Sequence, residues 1–161
     1  MARIWYSVLG EGLGHAIRSD TVLQLLKSRH EILITACDRA YPYLAARYPG
    51  LVHRIEGAGF VYEKNTVHVR KSALRIAARI PVIATKNLPV LRRLVKEFKP
   101  DLLISDFEPS SQFVAKRLGI ALICLDNIHE LTECELGVPD ASRAQLRVAQ
   151  GFIKVFYSRA D

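Results

Sequence analysis

Short apolar runs alternating with helical patterns constrain this 161-residue chain more than any other feature. Runs bounded by polar or turn-forming residues recur at Arg3–Val8, Ile32–Cys37, Leu51–Ile55, Leu102–Ser105 and Ala121–Leu125. Between most of them lie stretches with helical spacing. A strand followed by a helix and then another strand builds a right-handed crossover, and its repetition yields a parallel sheet. The expected fold class is therefore α/β, a Rossmann-like parallel sheet with helices on both faces, in a single domain over residues 1–161.

The first helix is expected to begin near Gly14 and run through Leu26, because Ile17, Val22, Leu23, Leu25 and Leu26 recur on one side. A second spans Arg39–Arg47, with Pro42 in its first turn. Val67–Phe98 is helical in pattern but carries Pro81 and Pro89, so two helices or one kinked helix fit equally well. The segment "DLLISDFEPSSQFVAKRLGIALICLDN" reads as strand, turn, helix over Ser110–Leu118, a stop at Gly119, and strand. Asp140 or Ser142 caps a last helix through about Tyr157.

The start "MARIWYSVLG" is too short to span a bilayer and lacks a small-residue cleavage pattern, so it reads as a first strand in a cytoplasmic protein. Cys37, Cys124 and Cys134 lack metal-type spacing and read as reduced structural thiols; no metal site is expected.

The chemistry concentrates in "VLGEGLGHAIRSD", Val8 to Asp20. A loop between the first strand and first helix lies where open parallel sheets bind ligands. Gly10, Gly12 and Gly14 allow close backbone approach, and the helix start offers unpaired N–H groups to an anion. A dinucleotide fingerprint needs glycine where His15 stands, although Asp38 lies where a ribose-binding acid could sit. The Walker pattern fails for want of a Lys-Ser or Lys-Thr pair. His15 reads as a polar turn residue or as a general base held by a carboxylate on its other ring nitrogen. Asp106, at the end of the Leu102–Ser105 strand, either supplies that carboxylate or caps the helix after Pro109.

Between Lys64 and Lys99 stand ten Lys or Arg residues against one acid, Glu97, whereas the whole chain carries a net +7. One reading is a solvated face. Another places Arg70, Lys71, Arg75, Arg79, Arg92 and Arg93, beside Leu74, Ile76, Ile80, Leu88, Leu91 and Leu94, against anionic lipid. Phe98 alone is aromatic in this stretch, which argues against stacking on single-stranded nucleic acid.

Together "GEGLGHAIRS", "PDLLISDFEPSSQFVAKRLGIALICLDNIHE" and the basic stretch between them resemble the N-terminal, acceptor-binding half of GT-B glycosyltransferases. The likeness is greatest to the lipid II N-acetylglucosaminyltransferase group and related prokaryotic enzymes. The resemblance implies an inverting transfer from a nucleotide sugar of the UDP type to a sugar or lipid-linked acceptor. It implies His15 as base and Asp106 as its orienting partner. Gly10, Gly12, Leu13, Gly14, Arg18, Phe107, Glu108, Asn127 and His129 are implied to line the acceptor site. It also implies a second, donor-binding half, in the same chain or another subunit, so that these residues alone are expected to be inactive. A different class of reading is a non-catalytic subunit that recruits a donor-domain chain to the membrane.

Overall fold

The computed structural model describes residues 1–57, 59, 62, 63, 66, 67 and 69–156; residues 62, 63, 66, 67, 69, 70, 73, 152, 155 and 156 are described by backbone alone. Five parallel strands form one sheet: β1 (Arg3–Val8), β2 (Glu31–Ala36), β3 (Val52–Arg54), β6 (Leu102–Asp106) and β7 (Ala121–Cys124), in the order β3-β2-β1-β6-β7. A two-stranded antiparallel pair, β4 (Tyr62–Glu63) and β5 (Thr66–Val67), stands apart from it. The helices are α1 (Leu13–Leu26), α2 (Ala40–Arg47), α3 (Val69–Phe98), α4 (Pro109–Leu118), α5 (Glu130–Glu133) and α6 (Arg143–Phe156), the last preceded by a 3-10 turn at Asp140–Ser142.

Period-two alternation in the strands sends successive side chains to opposite faces, and two cores result. Ile4, Tyr6 and Val8 of β1, with Ile32 and Ile34 of β2 and Ile104 of β6, meet Ala16 and Leu23 of α1 and Ala40 and Leu44 of α2. On the other face Trp5, Leu33, Leu103 and Leu122 meet Leu91 and Leu94 of α3 and Val114 and Ala115 of α4. Helices thus cover both faces, the Rossmann-like arrangement expected of the alternation.

Several boundaries differ from expectation. The Leu51–Ile55 run contributes only Val52–Arg54 to the sheet, pairing with Ile34–Ala36. Helix α3 is one continuous element through Pro81 and Pro89; Thr85 Oγ1 donates to the Pro81 and Val82 carbonyls, 2.9 and 3.0 Å away. The β4–β5 pair and α5 had no counterpart in the sequence reading. Tyr157, the expected end of the last helix, lies outside the described residues.

Chain order creates the feature that positions the site. From β1 the chain winds outward through β2 and β3, then returns along α3 to place β6 on the other side of β1. The strand order reverses between β1 and β6, and in open parallel sheets the crevice at such a reversal, beyond the C-terminal strand ends, is where ligands bind.

Candidate active site

The loop after β1 and the turn after β6 face each other across this switch point, with Val8 paired to Asp106. Gly10 is fixed by packing: a Cβ added there would lie 1.9 Å from the Cys37 carbonyl oxygen and 2.9 Å from the Ala40 nitrogen. A Cβ at Gly12 or Gly14 would meet nothing within 4 Å. Gly12 is the N-cap of α1, and no side chain caps that helix start. Asp38, the ribose-acid candidate, occupies a left-handed turn with φ of 44° and leaves its carboxylate against Gly57.

His15 lies in the first turn of α1, so Arg18 and Ser19 follow at i+3 and i+4 on the same side. All three converge on Asp106. His15 Nδ1 is 2.7 Å from Asp106 Oδ1, Arg18 Nη2 donates to that oxygen at 2.5 Å, and Arg18 Nε and Ser19 Oγ donate to Oδ2 at 3.1 and 2.9 Å. The Asp106 side chain is fully buried. Burial opposes its charge, but the hydrogen bonds from His15, Arg18 and Ser19 outweigh that cost and hold the carboxyl below its ordinary range. An ionised carboxylate only accepts, so the 2.7 Å contact requires the proton on Nδ1. In the neutral ring, 27% exposed, that assignment makes Nε2 the accepting nitrogen.

Phe107 supports the ring from the other side. Its backbone takes the left-handed φ of 65°, uncommon for a bulky residue, and its ring centroid stands 5.5 Å from that of His15. Tyr6 lies beneath the cluster, and burial pushes its phenol up to about 12, so it carries no charge near neutral pH.

Glu108 is held by the start of α4. Its buried carboxylate caps α4, accepting from the Ser110 and Ser111 backbone N–H at 2.9 and 2.7 Å and from Ser7 Oγ at 3.3 Å. Behind it a buried chain runs from Trp5 Nε1 to Thr35 Oγ1 at 2.9 Å and on to Ser7 Oγ at 2.8 Å. The helix cap is therefore Glu108, and Asp106 is left to α1. Arg18, expected at the acceptor, directs three of its N–H groups inward, the third to the Leu125 carbonyl at 2.9 Å.

A second His–Asp contact closes the turn after β7: His129 Nδ1 lies 2.8 Å from Asp126 Oδ1, which also accepts from the His129 backbone N–H at 3.3 Å. Cys124, Asp126 and His129 bring ligand-type atoms within 4.8 Å of one another. Because both contacts to His129 already use Asp126 Oδ1, the arrangement reads as a hydrogen-bonded turn. Asn127, between them, is exposed. A separate cavity of about 330 Å³ is lined by Leu136, Val138, Arg143, Leu146, Arg147 and Gln150, none of them from the crevice.

The basic residues of α3 divide. Arg79 and Lys86 both pair with Glu56 at 3.2 Å, whereas Arg75, Arg92 and Arg93 are exposed; Lys71 is exposed too. The Arg70 side chain lies outside the described residues. Leu74, Ile80 and Val82 are exposed beside them. Among the described residues no helix is long and apolar enough to cross a membrane.

A family model described as glycosyl transferase family 1 matches residues 2–161. The chain belongs to glycosyl transferase family 1. Comparison with curated proteins finds no match. Among solved structures, this family member resembles spinosyn rhamnosyltransferase SpnG, with a TM-score of 0.54 and 20% identity over 77% of this chain and 34% of that one. It also resembles UGT2 of Phytolacca americana, solved with UDP-2fluoro-glucose and pterostilbene, with a TM-score of 0.50 and 20% identity over 81% of this chain and 32% of that one. These are GT-B glycosyltransferases, and the likeness establishes a Rossmann-like unit of that fold. The chain spans about a third of the length of these structures.

Sequence reasoning missed Ser19, although its i+4 spacing from His15 placed both on one helical face.

Proposed function

We propose that residues 1–161 form the acceptor-binding half of an inverting glycosyltransferase that uses a nucleotide sugar of the UDP type. A second Rossmann-like half, in the same chain or another subunit, supplies the donor site. The observation that carries this reading is the His15–Asp106 contact at the switch point, with Nδ1 protonated and Nε2 left to accept. The acceptor hydroxyl gives its proton to His15 Nε2 while its oxygen bonds to the anomeric carbon. The bond from that carbon to the nucleoside diphosphate breaks, and its electrons leave with the diphosphate. Asp106 keeps the ring oriented and stabilises the imidazolium that forms. Attack opposite the leaving group inverts the anomeric centre.

Gly12 and Gly14, Leu13, Phe107, Asn127 and His129 are the proposed acceptor contacts. The opening at Gly12 and Gly14 and the exposure of Leu13 and Ile17 beside His15 support them. The family match and the UDP-2fluoro-glucose in the plant relative support the donor class. In the complete enzyme His15→Ala is expected to lower turnover by about 10² to 10⁴ with acceptor KM little changed; near-normal turnover would remove His15 from the mechanism. Residues 1–161 alone are expected to transfer nothing.

The exposed apolar and basic side chains of α3 favour a second role, docking on the anionic inner face of the cytoplasmic membrane. Such docking suits a lipid-linked acceptor, and it suits equally a non-catalytic recruiting subunit. Flotation with anionic vesicles that weakens in Arg75→Ala/Arg92→Ala/Arg93→Ala supports it; equal flotation with neutral vesicles would refute it. Turnover that depends on His15 separates the enzyme from the recruiting subunit.

A further inference from the structure

Arg18 carries more than its place on a polar helix face requires. With Nδ1 protonated, the His15–Asp106 pair holds an uncompensated negative charge on a fully buried carboxylate. A buried anion in this position has two ways to acquire a counter-charge. The histidine can take a second proton and become imidazolium, or another cation can be fixed beside it. The chain supplies the cation. Arg18 meets Asp106 through a two-pronged contact, Nε to Oδ2 at 3.1 Å and Nη2 to Oδ1 at 2.5 Å. Its Nη2 also reaches the Leu125 carbonyl at 2.9 Å, tying α1 to the end of β7, and stands 3.4 Å from His15 Nδ1.

This geometry turns most of the guanidinium of Arg18 inward. A guanidinium has five N–H groups, and three of them point to Asp106 and Leu125. The other charged and titratable groups whose fields reach it are Tyr6 from β1, which stays protonated, and Asp126 from the loop after β7, itself bonded to His129.

We propose that Arg18 is a positioning residue that balances the charge of Asp106, so that His15 need not be protonated to do so and its Nε2 stays available to accept a proton. Removing the guanidinium leaves the buried carboxylate to recruit that charge from His15. The imidazolium so formed orients correctly and cannot act as a base. The kinetic consequence rests on the function proposed above; the protonation state does not.

The complete enzyme, labelled with ¹⁵N at histidine and assigned with a His15→Gln variant, tests this directly. Near neutral pH the parent is expected to show His15 protonated at Nδ1 only. Arg18→Met is expected to show both ring nitrogens protonated, and the acid limb of its kcat/KM profile to move up by about one pH unit or more. Its kcat at neutral pH should fall while acceptor KM holds. Arg18→Lys keeps the charge and loses the fork, and should retain the parent protonation state; it carries the test if Arg18→Met does not fold. A His15 signal unchanged in Arg18→Met, or doubly protonated in Arg18→Lys, would overturn the proposal. So would a raised acceptor KM with the acid limb fixed, which would make Arg18 an acceptor ligand. If His15→Ala leaves turnover intact the catalytic reading falls, while the nitrogen spectra still decide the role of Arg18.

Discussion

Replacing Asp106 by asparagine keeps the shape of the side chain and removes its charge. The sign of the effect on stability follows from the direction of its titration. The carboxyl is held below its ordinary value of 3.8, so the folded state favours the anion more than the unfolded state does, and a neutral side chain must be less stable there. Of the contacts made by Asp106, the one from Ser19 can be rebuilt, because a hydroxyl donates or accepts. With the amide nitrogen standing in place of Oδ2 to meet Ser19, the bond from Arg18 Nε is lost, and those from Arg18 Nη2 and His15 to the remaining oxygen lose their charge assistance. Such bonds contribute about 1.5–3 kcal/mol each when sheltered. Arg18 is 43% exposed and His15 27%, so solvent recovers much of that, and the loss is set at about 2–3 kcal/mol in total. With a urea slope near 2 kcal/mol/M, the unfolding midpoint falls by about 1–1.5 M at unchanged slope. The depressed carboxyl contributes stability that is present above the unfolded value and lost as pH falls through the folded one. The gap between parent and Asp106→Asn should therefore be flat above about pH 5 and narrow steadily as pH falls below about 4 toward the folded value. A midpoint change worth less than about 0.5 kcal/mol, or a gap that does not narrow below about pH 4, would refute the reasoning.

Gly10→Ala should destabilise by about 1–3 kcal/mol in a thermal melt, because its Cβ meets the Cys37–Ala40 backbone rather than a movable side chain. Gly14→Ala, with nothing within 4 Å and a helical position, should be neutral or stabilise by up to about 1 kcal/mol; a loss equal to that of Gly10→Ala would show that the loop packs differently. Glu108→Ala should cost about 1–3 kcal/mol by stranding the Ser110 and Ser111 N–H groups and the Ser7 hydroxyl, and Glu108→Gln less; equal losses would count against a role as helix cap.

The parallel sheet was legible because each strand is a short apolar run and each crossover helix shows its own spacing. Elements set by long-range contact were not. Nothing local shortens Leu51–Ile55 to three paired residues; pairing with the end of β2 does. Nothing local says that a helix runs through Pro81 and Pro89. The contacts that define the crevice join residues 87 to 91 positions apart, His15, Arg18 and Ser19 to Asp106, so the motif showed the participants and the crossover order brought them together. The partners of Glu108 depend on the fold in the same way: its carboxylate reaches the two N–H groups that follow it and a serine on β1.

The three glycines of the loop show how far a motif can mislead when read as a unit. Their spacing suggests one shared task, close approach to a ligand. Gly10 is required by the β2–α2 turn pressed against it, and any chain with that turn would need glycine there whether or not it bound anything. Gly12 and Gly14 face open space, so packing does not require glycine at either. On the function proposed above, the part of the loop that meets a ligand is its second half, from Gly12 through Ser19. There a helix start without a side-chain cap, a histidine of fixed tautomer and a charge-balancing arginine meet one buried carboxylate from the neighbouring strand. Substitutions at Gly12 or Gly14 by a larger residue should then raise acceptor KM without loss of stability, whereas the same change at Gly10 should lower stability first.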